Sequence, residues 1–193
     1  MQDAWVEQME QTLNPMSVPM DNPIGTIESK DRQAILAALL VHLWHGYRKM
    51  RDCLTELEDA MLQGNREQAR SLLLQIKRFC GTSFRYEEDA VLPALDHHIG
   101  SEQLRELTAA HDLVIRHVRR LEGLLSTSPG GEEQIEQGRM LIHALLMQVA
   151  CTAGLTLLIE TLPQDALIRI LQARERALVE GKDLYEWDKD IRG

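Results

Sequence analysis

The sequence is short of aromatic residues and cysteine, and it has no long uninterrupted apolar run. Aromatic residues make up 4% of the 193 residues, and the alternating β-branched and aromatic runs that predict strands are scarce, which argues against a sheet. No unbroken apolar stretch reaches the roughly 20 residues of a membrane span. The N-terminus lacks the basic start and apolar run of a signal peptide. The three cysteines, Cys53, Cys80 and Cys151, form no Cys-x-x-Cys pair, which is typical of reduced thiols. We therefore expect a soluble, cytoplasmic protein.

The residues that are abundant predict an acidic, helical protein. Leu, Ala, Met, Glu, Gln and Arg dominate, and all of them favour helices. Apolar residues make up 44% of the chain, which is enough for a packed core. The net charge of -9 disfavours nucleic acid and anionic membrane surfaces as partners, because both repel an acidic protein.

Helix-breaking residues divide the chain into three parts. Residues 1–28 read as a short helix followed by an arm with three prolines in nine residues, which cannot lie inside a helix. The arm either packs on the rest of the chain or binds a partner. Residues 29–162 read as four long helices with short connections, an up-down-up-down bundle. Residues 163–193 read as a C-terminal helix and a charged tail. The breaks within the bundle are expected at Gly64-Asn65, Gly100-Ser101 and Ser126 to Gly131.

Heptad spacing predicts which side chains face the core of this bundle. In the third helix, His111 falls on the apolar stripe that runs from Leu104 to Leu125, and in the second helix Glu87 occupies a core position. Glu88 is expected on the flank of that stripe. The seams of the four helices are therefore predicted to meet around Tyr47, Ser83, Glu87, His111, Met147 and Cys151.

One segment resembles a known family. The sequence from Phe84 to Leu95, Phe-Arg-Tyr-Glu-Glu-Asp-Ala-Val-Leu-Pro-Ala-Leu, is followed one helix later by His111-Asp112 and preceded by the Gly64-Asn65 break. In order and spacing these features resemble hemerythrin-like (HHE cation-binding) domains. The resemblance implies a four-helix bundle with a di-iron site. Its ligands would be one His from the first helix, His-x-x-x-Glu from the second, one His from the third and a second His-x-x-x-acid pair from the fourth.

Most of the ligands that the resemblance implies are replaced in this chain. The first-helix His falls on Tyr47 and the fourth-helix pair falls on Met147 and Cys151, or one turn later on Ala150 and Gly154, whereas Glu87 and His111 are retained. The second-helix His falls on Ser83. One bridging carboxylate and one imidazole cannot hold two irons against water, so we do not expect an ordinary di-iron centre.

Three interpretations of the site follow. The first is a single iron or zinc bound by Glu87 and His111, with Tyr47 or Cys151 as a further ligand. The second is a metal-free group in which the buried polar side chains hydrogen-bond one another. The third is haem or another cofactor in the core, with His42, His45 or His143 as axial ligand. His42 and His45 lie three residues apart on one helix face and would also complete a metal site if the helix register differed.

Two hypotheses of function result, and neither makes the protein an enzyme, since the sequence has no glycine-rich phosphate loop and no nucleophile elbow. The resemblance implies a divergent hemerythrin-like protein that binds or senses a metal or small ligand related to iron, oxygen or nitric oxide. The alternative is a metal-free interaction or regulatory protein that binds a protein partner through the N-terminal arm or the C-terminal helix. The oligomeric state stays open.

Overall fold

The described part of the chain is built from helices alone. A computed structural model describes residues 32–127 and 131–193, of which 91% are helical, and no strand occurs among them. The all-α prediction is thereby confirmed. The predicted arm at residues 1–28 lies outside the described residues.

Seven α-helices and one π-helical segment follow one another within these two described stretches. They are α1 (Arg32–Leu62), α2 (Arg66–Tyr86), the π segment (Glu87–Val91), α3 (Leu92–Ser126), α4 (Glu132–Gly154), α5 (Thr156–Ile159), α6 (Gln164–Glu180) and α7 (Leu184–Arg192).

Helix α1 contacts α2 and α4, and α3 contacts the same two helices. The ends of α1 fix its direction relative to α4. The Arg32 guanidinium, at the start of α1, donates to the Leu162 carbonyl at 2.8 Å. Near the other end of α1, Glu58 pairs with Arg139 of α4 at 3.0 Å. The two helices therefore run antiparallel.

Two of the predicted breaks have clear physical causes. Gly64 ends α1 at φ 69°, and the Asn65 side chain caps α2 by accepting a hydrogen bond from the Gln68 N–H at 3.2 Å. Gly100 has φ 78° and ψ 158°, a non-helical backbone conformation, so α3 consists of two helical parts that meet at a kink where the sequence predicted a boundary. Pro93 follows the π segment in a helical course that runs unbroken from Arg66 to the kink at Gly100, so it lies near the end of that course, where the sequence pattern placed it.

The buried apolar residues form two clusters along the helices. One cluster joins the C-terminal half of α1 with α2, α3 and α4 and includes Leu184 and Trp187 of α7. The other joins the N-terminal half of α1 with the π segment, α5 and α6. Both C-terminal helices are therefore part of the packed core.

Helix α7 occupies the region that the sequence pattern predicted as a charged tail. Asp183 begins it with a capping box, in which its side chain accepts from the Glu186 N–H and the Glu186 carboxylate accepts from the Asp183 N–H. Trp187 is 1% exposed. Gly81 of α2 makes this docking possible, because a Cβ at that position would lie 2.6 Å from the Asp183 carbonyl oxygen and closer still to Lys182.

Helix α4 is apolar and yet largely exposed. The helical stretch Glu132–Ile159 is long and apolar enough to cross a membrane, judged by length and composition alone, and 28% of its most apolar window is buried. Met140, Met147 and Leu157 are 66%, 65% and 68% exposed. The predicted core seam through Met147 and Cys151 is therefore wrong, and these residues lie on the outer face of α4.

Candidate functional site

The candidate site lies where the π segment meets α3. In the π segment the Leu92 N–H donates to the Glu87 carbonyl, five residues earlier, which widens the turn relative to an α-helix. This wider turn directs two consecutive side chains, those of Glu87 and Glu88, toward His111 of α3. The sequence pattern predicted that Glu87 and His111 are buried, and both are, at 3% and 2% exposed. It missed Glu88 as a partner.

His111 is held between two carboxylates. Its Nε2 lies 3.1 Å from Oε2 of Glu87 and its Nδ1 lies 2.8 Å from Oε1 of Glu88. The Phe84 ring stacks on the imidazole with centroids 3.9 Å apart and planes 12° apart. Trp187 approaches edge-on, with a centroid distance of 6.4 Å. The ring is therefore held at both nitrogens, stacked on Phe84 and in edge contact with Trp187.

The two carboxylates keep this imidazole charged. Burial alone would lower the pKa of His111, but hydrogen bonds to Glu87 and Glu88 and their charges raise it to about 9. Burial alone would raise the pKa of Glu88, but hydrogen bonds from His111 and Arg192 lower it. At neutral pH His111 is therefore an imidazolium, and both of its N–H groups donate to a carboxylate.

Arg192 of α7 closes the group from outside. Its Nη2 donates to Glu88 Oε1 at 2.8 Å and its Nε donates to Asp112 Oδ1 at 2.6 Å. The guanidinium also lies 4.5 Å from the centroid of the Trp187 ring. We call Glu87, Glu88, His111, Asp112 and Arg192 the charge network. Three carboxylates face two cations in it, and helix α7 is attached to α3 and the π segment through it.

Tyr47 borders the charge network without joining its ion pairs. It is 8% exposed and lines a small cavity of about 30 Å³ together with Ser83, Glu87 and residues of α4. Burial, and then the charge of Glu87, raises the pKa of Tyr47 well above its ordinary value. The phenol is therefore neutral at physiological pH, and a phenolate ligand would need a cation to displace its proton.

Helix α4 lines this cavity with Leu145, Gln148, Val149 and Thr152, of which Gln148 and Thr152 are polar. Thr152 donates to the Gln148 carbonyl at 3.0 Å and accepts from the Gln148 amide at 3.4 Å. Cys151 is exposed on the other side of the helix, so the predicted register of the fourth helix was off by one residue. Apolar residues surround α4 on nearly all sides, and periodicity alone therefore could not choose between neighbouring stripes.

The two alternative histidines lie away from the cavity. His42 and His45 are exposed on α1, and His42 lines a different cleft, next to Arg174. Burial, and then the charge of Arg174, lowers the pKa of His42. The structure thus brings together Tyr47, Glu87 and His111 and keeps Cys151, His42 and His45 apart from them.

The donor set does not fit a metal ion in this arrangement. Within residues 32–127 and 131–193, no group of three or more His, Cys, Asp or Glu side chains is placed to hold one. A metal-bound imidazole must be neutral and must have one free nitrogen lone pair. His111 is charged and both of its nitrogens donate to carboxylates, so a metal would have to displace Glu87 or Glu88 and a proton.

Comparison of the chain with protein-family models, with curated proteins and with solved structures finds no match. The class that the structure defines is therefore an all-helical protein with a buried charge network. The resemblance to hemerythrin-like domains stays a prediction from the residues.

Proposed function

We propose that this protein is a divergent hemerythrin-like four-helix bundle that works without a metal, as a non-enzymatic interaction protein. Helices α1 to α4 would form the up-down-up-down bundle, which their pairwise neighbours and the antiparallel course of α1 and α4 support. The charge network would occupy the position of the family's metal centre. Its role would be to hold α7 in place.

The observation that carries this proposal is the exposed apolar face of α4. Met140, Ala144, Met147, Cys151 and Gly154 follow the alternating four-three spacing of a coiled-coil seam. The side chains at this seam are flexible methionines or are small, and a partner helix packs closely against such residues. Soluble monomers rarely leave a continuous apolar stripe of this kind uncovered. We therefore name these five residues the α4 face and propose it as the docking surface.

Helix α1 extends this surface. Trp44, which is 51% exposed, precedes Glu58 by two heptads, and Glu58 points to α4 because it pairs with Arg139. Residues two heptads apart lie on the same side of a helix, so Trp44 borders the α4 face. An exposed aromatic anchor beside an apolar stripe is a common composition of protein interfaces.

We propose a second copy of the chain as the occupant. A stripe with heptad spacing is self-complementary about a two-fold axis, because the same surface is then buried on both copies. The test is the mass in solution, measured by size-exclusion chromatography with light scattering. We expect twice the chain mass of 22.0 kDa for the wild type and 22.0 kDa for Met147→Glu, since a buried unpaired carboxylate opposes association.

Leu74→Glu is the matched control, because Leu74 is also exposed, at 44%, but lies on α2. It should leave the dimer intact. A wild-type mass of 22.0 kDa at tens of micromolar would contradict self-association. If the wild type is a monomer that floats with lipid vesicles, and Met147→Glu does not float, then the α4 face binds a membrane surface and not a second copy of the chain.

A further inference from the structure

A cleft beside α1 is lined by several cationic side chains that form no ion pair with any described residue. It lies between α1, α2 and α6, has a volume of about 330 Å³, and we call it the basic cleft. Its rim includes His42, Lys49, Arg78 and Arg174. No Asp or Glu among the described residues lines it, although acidic residues outnumber Lys and Arg by 30 to 21 in the whole chain. The basic cleft is therefore a local positive surface on a protein whose net charge is negative.

The cations of the basic cleft have no protein counter-charge in direct contact. Among the residues that the structure describes, Lys49, Arg78 and Arg174 form no ion pair and no side-chain hydrogen bond, whereas eight other Lys and Arg residues do form ion pairs. Arg174 is also half-buried, next to Tyr86. Burial lowers the pKa of Arg174 despite the nearby charge of Glu175. A desolvated guanidinium with five N–H donors favours an anion.

The floor of the basic cleft is apolar. Met50, Ile76, Phe79 and Leu178 contribute to it. Gly46 opens the space for the aromatic ring, since a Cβ there would lie 3.2 Å from two ring carbons of Phe79. Thr82, Ser83 and Tyr86 are also among the lining residues, and the Ser83 and Tyr86 side chains hydrogen-bond each other. An apolar floor with a few polar groups, at a volume near the lower end for ligand sites, matches a small molecule.

We propose that the basic cleft binds a small organic anion, a carboxylate, sulfonate or phosphate monoester, that carries an apolar group. The anion would pair with Arg174, Arg78 and Lys49, and the apolar group would lie on Phe79 and its neighbours. This site is separate from the charge network and from the α4 face. It adds a ligand class that the proposed function does not require.

The test uses 8-anilinonaphthalene-1-sulfonate, a fluorescent aromatic sulfonate, titrated into full-length protein. Met147→Glu serves as the background, so that binding of the dye to the α4 face is suppressed. Saturable binding is expected, and Arg174→Gln should weaken it at least about tenfold, because a charge-assisted hydrogen bond in a half-buried site is lost. Added NaCl should weaken it further.

Three controls decide the outcome. Arg176→Gln, an exposed position on the same helix that lies outside the basic cleft, should bind the dye as the background does. Arg78→Gln, at an exposed position of α2, repeats the test if Arg174→Gln folds poorly by circular dichroism. N-phenyl-1-naphthylamine, which lacks the sulfonate, should bind equally to all variants. Equal affinity of the sulfonate for the background, Arg174→Gln and Arg78→Gln would overturn the proposal, as would an equal loss in Arg176→Gln.

Discussion

At the scale of single residues, His111 determines how the buried charges of this protein behave. Its side chain is 3% exposed and donates to two carboxylates. Removing one partner of such a group leaves a charge without compensation inside the protein, which costs more than the pair itself contributes. The His111 side chain thus stabilises the fold only while its imidazole ring is protonated.

This protonation makes stability depend on pH above neutrality. The pKa of His111 is about 9 in the folded chain, above the ordinary histidine value of 6.5 that applies to the unfolded chain. Because the folded pKa is the higher one, its contribution is fully present below about pH 6.5 and is lost as the pH rises through about 9. We expect the free energy of unfolding, measured with urea, to fall by about 3 kcal/mol across this window.

His111→Gln tests the assignment of this slope. Glutamine keeps a hydrogen-bonding side chain but cannot titrate, so the variant should be less stable at pH 6.5 and should show little further loss up to pH 9. A wild type whose unfolding free energy stays level from pH 6.5 to pH 9 would show that His111 is neutral in the folded chain.

At the scale of helices, the π segment and α7 depend on each other. The π segment directs Glu88 outward from α3 far enough for Arg192 to reach it, and Arg192 is near the end of α7. Trp187 Nε1 and Arg192 Nη1 are buried without a hydrogen-bond partner among the described residues. Helix α7 therefore owes its position to packing on Gly81 and to the charge network more than to complete hydrogen bonding.

Gly81→Ala tests the close approach of α7 to α2. The added methyl group would overlap the backbone of Lys182 and Asp183, which is not a flexible side chain that can move aside. We expect a loss of about 1–3 kcal/mol in the free energy of unfolding, measured by urea denaturation.

Gly123→Ala is the matched control. Gly123 lies in α3, and a Cβ there would have no neighbour within 4 Å. Alanine has the higher helix propensity, so this variant should be as stable as the wild type or more stable. Equal effects of the two substitutions would mean that α7 does not pack on Gly81 in solution.

The sequence predicts those elements whose position is set by glycine breaks or by heptad spacing, and it fails where neither signal applies. The breaks at Gly64 and Gly100 and the burial of Glu87 and His111 are predictable, because glycine and heptad spacing act locally. Glu88 was missed because the spacing argument assumes an α-helix, and the π segment changes the angle between consecutive side chains. The stripe of α4 was misplaced because apolar residues leave no polar side to orient it. Helix α7 was missed because it is short and charged.

At the scale of the whole molecule, the C-terminal helices complete the core rather than follow it. The two apolar clusters extend along the same helices, and each includes residues from a C-terminal helix, α7 in one and α6 in the other. The charge network lies under α7. The stability of the entire chain should therefore respond to this network and should be independent of added metal.

Chelation of the purified, untagged protein tests that independence. We expect the same melting temperature with and without EDTA, and no stoichiometric metal by elemental analysis. Glu87→Ala and His111→Ala should each lower the free energy of unfolding by about 1–3 kcal/mol, with or without EDTA, because each leaves a buried partner unpaired.

Glu106→Ala, at an exposed position of α3, is the control and should change little. About one iron or zinc per chain, lost together with several degrees of melting temperature on chelation and absent from Glu87→Ala, would contradict the metal-free proposal. A visible absorption band without such a metal would indicate haem or another organic cofactor.

The contacts of Glu87 and Glu88 with His111 depend on one extra residue in the π segment. A turn with a five-residue hydrogen bond holds one residue more than an α-helical turn, which corresponds to a single-codon insertion. Deleting one residue within Glu87–Val91 would return this turn to α-helical geometry, in which consecutive side chains point about 100° apart, while the helix on either side keeps its phase because the π turn absorbs the extra residue. Glu87 and Glu88 would then no longer both face His111. A single deletion would remove this arrangement while leaving every other amino acid of the chain in place.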